Sequence, residues 1–515
     1  MQMKNDGFTV GMIDVVVPQE TVRRFHVAIV ERLRQRGYDV ALVGAQAAQP
    51  VTGAMSRLDR IFGFERRFLR IRMNSLLDKM PGEILLSPRP DAVLRLDLSG
   101  GELQGTHPTL VPLFSGSPCL LAAADMLLRG QLPDVTIALD GRHCIARAAP
   151  MVDSRLSLMR GLDDVLAGMI TLLVSSAQRH LNVETDGGEI GKDAMLQEVF
   201  PDRQKDFSSR QLPGTYLLSM LPRQIIGTFR RLLFHVHRWE VHYRFHKGVR
   251  VADTGLLAGE PWITLPDDGE RFYADPFPFE WQGRHFIFVE DFRHGSSKAV
   301  ISVAEIFDDG TATVPRCVLE EPHHLSYPQV FARDGEIWML PEGGESRELV
   351  LYRAENFPDR WVRYAVLIPE RELFDATLLE HENRLWLFAT ECYGCGSASD
   401  TLVVFSALDL QGPWVPHPAN PVMIDRAAAR PGGGFVRIAE RLVVPMQDGT
   451  NGYGGGLGLA DLVELDEKSV RLTIPVPLLS PEKLPFPKVH TLNSSEKLEA
   501  IDRIAPAWRL KWCRT

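Results

Sequence analysis

The stretch 273–290, YADPFPFEWQGRHFIFVE, decides how the second half of this chain folds. It reads as an apolar strand, a Gln282-Gly283 turn, and a second apolar strand. The same unit returns at 327–342 (YPQVFARDGEIWMLPE), at 375–391 (DATLLEHENRLWLFATE) and at 430–448 (RPGGGFVRIAERLVVPMQD), with a weaker copy from His490 through Leu498 to Ile501. The anchors Asp275, Tyr327, Asp375, Arg430 and His490 lie 52, 48, 55 and 60 residues apart. More strand material follows each hairpin, as at 349–353 and 402–406. A period of this length, built from short strands, predicts one blade of a β-propeller per unit. Five units predict five blades over 260–505.

In an antiparallel hairpin the start of the first strand and the end of the second share an edge. Asp275 and Glu290 therefore meet at one rim, as do Tyr327 and Glu342, and Asp375 and Glu391. If the first strand of each unit is innermost, these groups converge at one mouth of the central channel. Crowded carboxylates push one another's pKa apart, which general acid–base chemistry requires. Tyr273, Trp281, Tyr327 and Tyr453 are available to stack on sugar rings. The competing reading is that strand-end acids cap turns or pair with arginines.

Residues 262–505 resemble the N-terminal propeller domain of glucosamine inositolphosphorylceramide transferases. The likeness is carried by FYADPFPFEWQGRHFIFVED, VLEEPHHLSYPQVFARDGEIWMLPE, LYRAENFPDRW and the segment Gln447-Asp448 to Tyr453-Gly454. In that family the propeller accompanies a separate transferase domain, so the resemblance implies a glycan or glycolipid context. More distantly the region is similar to five-bladed arabinanases and xylosidases. That similarity implies Asp275 as base and Asp375 as pKa tuner. The position of their acid falls on Ala429-Arg430-Pro431, so Glu342 or Glu391 would take the acid role, and Arg430 would hold an anionic group. Glu290, Gln447, Asp448 and His490 join Tyr273, Tyr327, Arg430 and Tyr453 as candidate substrate contacts. His490 stands where related glycosidases keep a His near a metal or water, but one ligand argues no metal, and no cofactor is expected.

The first third alternates strand and helix. Residues 8–17 and 38–43 read as strands around a helix whose Val22, Phe25, Ile29 and Leu33 share a face; 92–98 and 135–139 are further strands. This predicts a Rossmann-like α/β domain over 8–180. Neither a glycine dinucleotide fingerprint nor a P-loop is present. The run 102–118, ELQGTHPTLVPLFSGSP, with Val135-Thr136 and Asp140-Gly141, resembles formyltransferases. His107 matches that family's His. Its Asn position is Gly105, its Arg-Gly is Ser115-Gly116, and its Asp aligns with His143, beside Asp140. The resemblance implies a retained fold without formyl transfer; formyl or acyl transfer to an amino sugar is a weaker alternative.

Residues 181–250 read as a polar linker and a connector helix over 217–245. That helix pairs an apolar stripe (Leu217, Leu221, Ile225, Phe229, Leu232, Val236) with Arg223, Arg230, Arg231 and Arg238. It suits either an interdomain helix or a membrane-surface contact. His242 and His246 are spaced as helical metal ligands but lack a third partner. The 515 residues carry a net charge of −9, which argues against nucleic acid. Six scattered cysteines point to the cytoplasm, and no signal peptide or transmembrane run is read. Oligomeric state is not legible. The sequence thus predicts a carbohydrate-active, glycosidase-like propeller acting on a glycan, with a non-catalytic glycan- or glycolipid-binding module as the alternative.

Overall fold

The computed structural model describes residues 11–45, 49–71, 74–80, 83, 85–100, 107–185, 212–233, 239–394, 396–481 and 488–504. The chain forms two compact units, Met1–Thr228 with Tyr393–Ser397, and Phe229–Cys392 with Ala398–Thr515. Gly105, His235, His237, Arg238, Cys395 and most of the polar linker lie outside the described residues.

The first unit is built on a six-stranded sheet. Its elements are β1 (Met12–Pro18), α1 (Arg24–Gln35), β2 (Asp39–Ala45), α2 (Gln49–Phe68), β3 (Leu94–Asp97), β4 (Thr109–Phe114), α3 (Leu120–Leu128), β5 (Val135–Leu139), β6 (His143–Ala148) and α4 (Leu158–Thr185). The order is β2-β1-β3-β4-β5-β6; the first four strands are parallel, and β5 and β6 are antiparallel. Ile13, Val15 and Val17 on one face of β1 and Asp14 on the other are fully buried. α1 buries Phe25, Ile29 and Leu33 at the predicted spacing. β6 was not predicted, and it puts His143 on a strand. Asp140 caps the start of β4 through the Thr109 amide, and the Thr109 hydroxyl donates to the His107 carbonyl. These are turn-forming roles.

The second unit is a five-bladed β-propeller. Blade one runs Arg271–Trp281, Arg284–Arg293, Val300–Ile306 and Arg316–Leu319. Blade two runs Ser326–Arg333, Glu336–Glu342, Glu348–Asn356 and Arg360–Pro369. Blade three runs Leu373–His381, Arg384–Glu391, Thr401–Ala407 and Val415–Pro416. Blade four is entered by Arg430–Pro431 and Val436–Ile438 and continues through Arg441–Gln447, Leu457–Leu465 and Val470–Leu472. The innermost strand of blade four approaches blade five so closely that a Cβ on Gly433 would lie 2.0 Å from the Leu492 carbonyl oxygen.

Blade five corrects the sequence reading. Its inner strands are Val489–Ser494 and Leu498–Ile504, but its outer strands are Trp239–Phe245 and Ile263–Thr264, which precede blade one in sequence. The ring is closed by pairing the two ends of the unit. The helix expected over 217–245 is confined to Leu221–Leu233, after a π-turn at Tyr216–Met220. Past it, the apolar residues Trp239, Val241 and Tyr243 recur with period two on a strand buried on both faces, and the apolar stripe had masked that change. His242 is therefore a strand residue, hydrogen-bonded to Thr264 and Arg503. Ile225, Phe229 and Leu232 are exposed.

The closing strand is held by Val241 and Tyr243, packed with Leu498, Ala500, Tyr273 and Ile287, and by a buried Arg244–Glu499 ion pair at 3.0 Å. Glu499 also accepts the Val251 amide at 2.6 Å. Tyr243→Ala is expected to cost the propeller about 3–5 kcal/mol, the range for a buried aromatic. Tyr243→Phe, which loses only the hydroxyl bond to Gly310, should cost about 1 kcal/mol. Urea unfolding of the full chain measures both.

Candidate functional site at the propeller mouth

Three innermost strands break their ladder at the same place. Asp275, Tyr327 and Asp375 adopt left-handed backbone angles, φ 48°, 45° and 48°. Residues 275–276, 327–328 and 375–376 drop out of the strand pairing as bulges, and 490–491 do so in blade five. Such bulges re-aim a side chain and strain the backbone of a non-glycine residue. Each kinked amide is met by a carboxylate of the preceding blade. Asp275 N–H donates to Asp502 Oδ2 at 2.9 Å, Tyr327 N–H to Asp275 Oδ2 at 3.2 Å, and Asp375 N–H to Glu342 Oε2 at 3.2 Å.

Arg430 lies among these acids. Its Nε donates to Asp375 Oδ2 at 2.6 Å and one Nη to Asp375 Oδ1 at 3.2 Å; the same Nη reaches Glu342 Oε2 at 3.4 Å. Gln447 Nε2 adds a third donor to Asp375 at 2.5 Å. Burial opposes charge on Asp375, but Arg430 and these hydrogen bonds outweigh it and hold the carboxyl below its usual range. Glu342 is pushed well above its usual range by burial and by the neighbouring Asp375 charge. The two carboxyls are thus pushed in opposite directions.

The other half of the mouth is a His–Asp cluster. His490 Nδ1 lies 3.2 Å from both Asp275 Oδ1 and Asp502 Oδ2. Only Asp502 meets it with hydrogen-bond geometry, which leaves Asp275 Oδ1 and His490 Nε2 buried without a hydrogen bond. Burial would lower the His490 pKa, but Asp502 and Asp275 raise it to about 10. Asp275 is raised, chiefly by burial. The oxygens of Asp275 and Asp502 and the His490 ring nitrogen lie within 4.8 Å of one another and could hold a cation. With His490 protonated, a metal there would first have to displace that proton.

The structure thus brings Asp275, Glu342, Asp375, Arg430, Gln447, His490 and Tyr453 together. Tyr453 is 42% exposed, lies edge-on to His490 and sits 5.4 Å from the Arg430 guanidinium. Glu290 is adjacent but engages His324 at 3.2 Å. Tyr327 is fully buried, its hydroxyl on Thr377 and its ring on Phe277. The structure gives three candidates other partners. Tyr273 belongs to a hydrophobic core between blades, so it cannot stack on a sugar. Glu391 is gripped by Arg371 through both oxygens at 3.0 Å, which removes it as the acid. Asp448 caps the turn at Thr450. Sequence reasoning missed Trp239, whose ring is tilted against His490 with centroids 4.6 Å apart, and Asp502. Asp502 lay in the weak fifth repeat, and Trp239 in what read as helix.

The class of protein defined by these features is a five-bladed propeller with an arginine-bridged carboxylate site at its mouth. The family described as glucosamine inositolphosphorylceramide transferase 1, N-terminal, matches residues 264–484. The protein named glucosamine inositolphosphorylceramide transferase 1 from Oryza sativa subsp. japonica is 34% identical over 213 residues, 40% of this chain and 28% of that protein. Its Arabidopsis thaliana counterpart is 31% identical over 205 residues, 39% of this chain and 27% of that protein. The chain thus spans well under half the length of these relatives. Among solved structures, Zg3597, a family 117 glycoside hydrolase from Zobellia galactanivorans, matches with TM-score 0.34 and 13% identity over 52% of this chain and 90% of its own. The Cellvibrio cellulosa α-L-arabinanase matches with TM-score 0.31 and 17% identity over 40% of this chain and 78% of its own. The resemblance of the first unit to formyltransferases finds no support in these comparisons.

The His490 pKa, raised from 6.5 to about 10, means that the folded state keeps a proton the unfolded chain releases. Its contribution to stability is complete below pH 6.5 and is lost as pH rises through about 10. Asp275, also raised, acts with the same sign at lower pH. Denaturant midpoints should fall between pH 6.5 and 10 in the wild type, and His490→Phe should flatten that slope.

Proposed function

We propose that the propeller acts on the head group of a glycan or glycolipid at its mouth by carboxylate acid–base chemistry. The observation that carries this reading is the buried Glu342–Asp375 pair beside a third acid: Arg430 and Gln447 donate to Asp375 at 2.5–3.2 Å and Arg430 only reaches Glu342 at 3.4 Å, so the Asp375 pKa is lowered and the Glu342 pKa raised. Enzymes separate acid and base roles by such environments. In this scheme Glu342 donates its proton to the leaving oxygen. Asp375, kept ionised by Arg430 and Gln447, holds that proton on Glu342 until it is needed. Asp275, in its ionised form, takes the proton from the attacking water. A sugar hydroxyl both donates and accepts, and so suits His490 Nε2 and Asp275 Oδ1, two atoms of this cluster buried without hydrogen bonds. Tyr453 offers an exposed ring face, and Arg430 beneath it favours a phosphate or sugar acid. The relatives' name, which joins glucosamine to inositolphosphorylceramide, supports a phosphorylated glycolipid as the substrate class.

A second reading, a non-catalytic binding module, is favoured by one observation: the Arg430 guanidinium already spends its fork on Asp375. Product analysis separates the two. Incubated with glucosaminyl inositolphosphorylceramide and a panel of phosphorylated glycans, the wild type should release product. Glu342→Gln should lower turnover by about 10²–10⁴-fold, the weight of a general acid, while ligand binding stays nearly unchanged. Binding by both proteins with no product from either would replace the catalytic reading with the module.

A further inference from the structure

The strand order of the first unit reverses beside β1. The chain steps from β1 through α1 to β2 on one side, then returns to place β3 on the other. In an open parallel sheet the loops leaving the carboxyl ends of two such strands diverge, and ligands bind in the crevice between them. A half-open cleft with an interior of about 80 Å³ lies at this point. It is lined by the end of β1 (Pro18), the loop after β3 (Leu98 to Gly100), and the first turns of α1 and α3.

Two features say what such a ligand would be. His26, 2% exposed, lines the cleft. Its Nδ1 accepts the Arg23 amide at 3.1 Å, and burial followed by the Arg23 charge lowers its pKa to about 3. The ring is therefore neutral with its proton on Nε2, and that N–H has no acceptor among the described residues. The α3 helix begins at Leu120 with no side-chain cap. The Ala122 amide is taken by the Cys119 carbonyl and the Leu121 amide faces the Cys119 sulfur, which leaves the Leu120 amide unsatisfied by the helix. The first turn of α1 offers nothing comparable, because its amides are spent on the carbonyls of Asp78, Leu76 and Arg23. Phe25, Met55 and Leu98 give the cleft an apolar wall. Of the carboxylates near the cleft, Asp97 is turned onto the Ser99 amide and hydroxyl at 2.8 and 2.7 Å, and Glu20, on the rim, is exposed to solvent.

We propose that this cleft binds a small molecule with an oxyanion head group on an apolar or aromatic body. The head group lies between His26 Nε2–H and the N-terminus of α3, and the body lies on Phe25, Met55 and Leu98. This site is separate from the propeller mouth and does not rest on its chemistry.

Phenyl phosphate is the probe, titrated calorimetrically into the full chain. Saturable binding is expected, with inorganic phosphate alone and phenol alone each binding more weakly. His26→Phe keeps the ring and removes the donor; it should weaken phenyl phosphate by about tenfold or more, the weight of a hydrogen bond to a charged group. Leu98→Trp, which fills the cleft, should abolish binding while unfolding like the wild type, and it decides the matter if His26→Phe does not fold. Asp275→Asn should bind as the wild type does. Absence of saturable binding, or equal affinity in the wild type and Leu98→Trp, overturns the proposal.

Discussion

Everything at the propeller mouth depends on one backbone constraint. Each of three innermost strands must turn its chain through a left-handed conformation at a residue that carries a side chain. That conformation costs on the order of 1–2 kcal/mol for an L-residue. The kink also frees an amide from the strand ladder, and a buried amide without a partner costs more still. The fold answers with a carboxylate from the preceding blade at each kink: Asp502 for Asp275, Asp275 for Tyr327, and Glu342 for Asp375. The acids that crowd the mouth are there first as partners for these amides.

The crowding creates its own electrostatic problem, and Arg430 and His490 answer it. Without a cation, buried carboxylates this close could not ionise together. Arg430 takes Asp375 through a forked contact, and His490 takes Asp502 and faces Asp275. Glu342 lies at the end of the arginine's reach, 3.4 Å away, and keeps its proton. Arg371, just before blade three, pairs with Glu391. The division of the acids into ionised and protonated members thus follows from which cation each one touches.

The first unit solves a different problem with different means. Its acids are structural too: Asp14, fully buried on β1, is closed by the Arg89 side chain and amide at 2.8 and 2.9 Å. Glu65 receives the Ser157 hydroxyl and the amides of Leu158 and Met159 at the start of α4. What remains open is the crevice where the strand order reverses, lined by a neutral histidine and an uncapped helix. The two units offer opposite electrostatics to a ligand, a carboxylate-rich mouth in one and a donor-rich cleft in the other.

The sequence by itself determined the repeats, and hence the blades, because a strand-turn-strand unit buries its apolar face only by stacking on copies of itself. The anchors Asp275, Asp375, Arg430 and His490 were legible because a residue at the same place in every repeat must reach the same ring. The α/β alternation of the first unit was legible from local periodicity in the same way. The sequence did not reveal that Trp239–Phe245 closes the ring, because that strand pairs with residues about 260 positions away and its local pattern ran on from a helix. Nor did it separate Glu342 from Glu391, or expose Tyr273 as core: these depend on which arginine or which neighbouring blade lies across the gap. Repeats are written along the chain, but charge partners are chosen across the closed ring, and only the tertiary structure brings those partners within hydrogen-bonding distance.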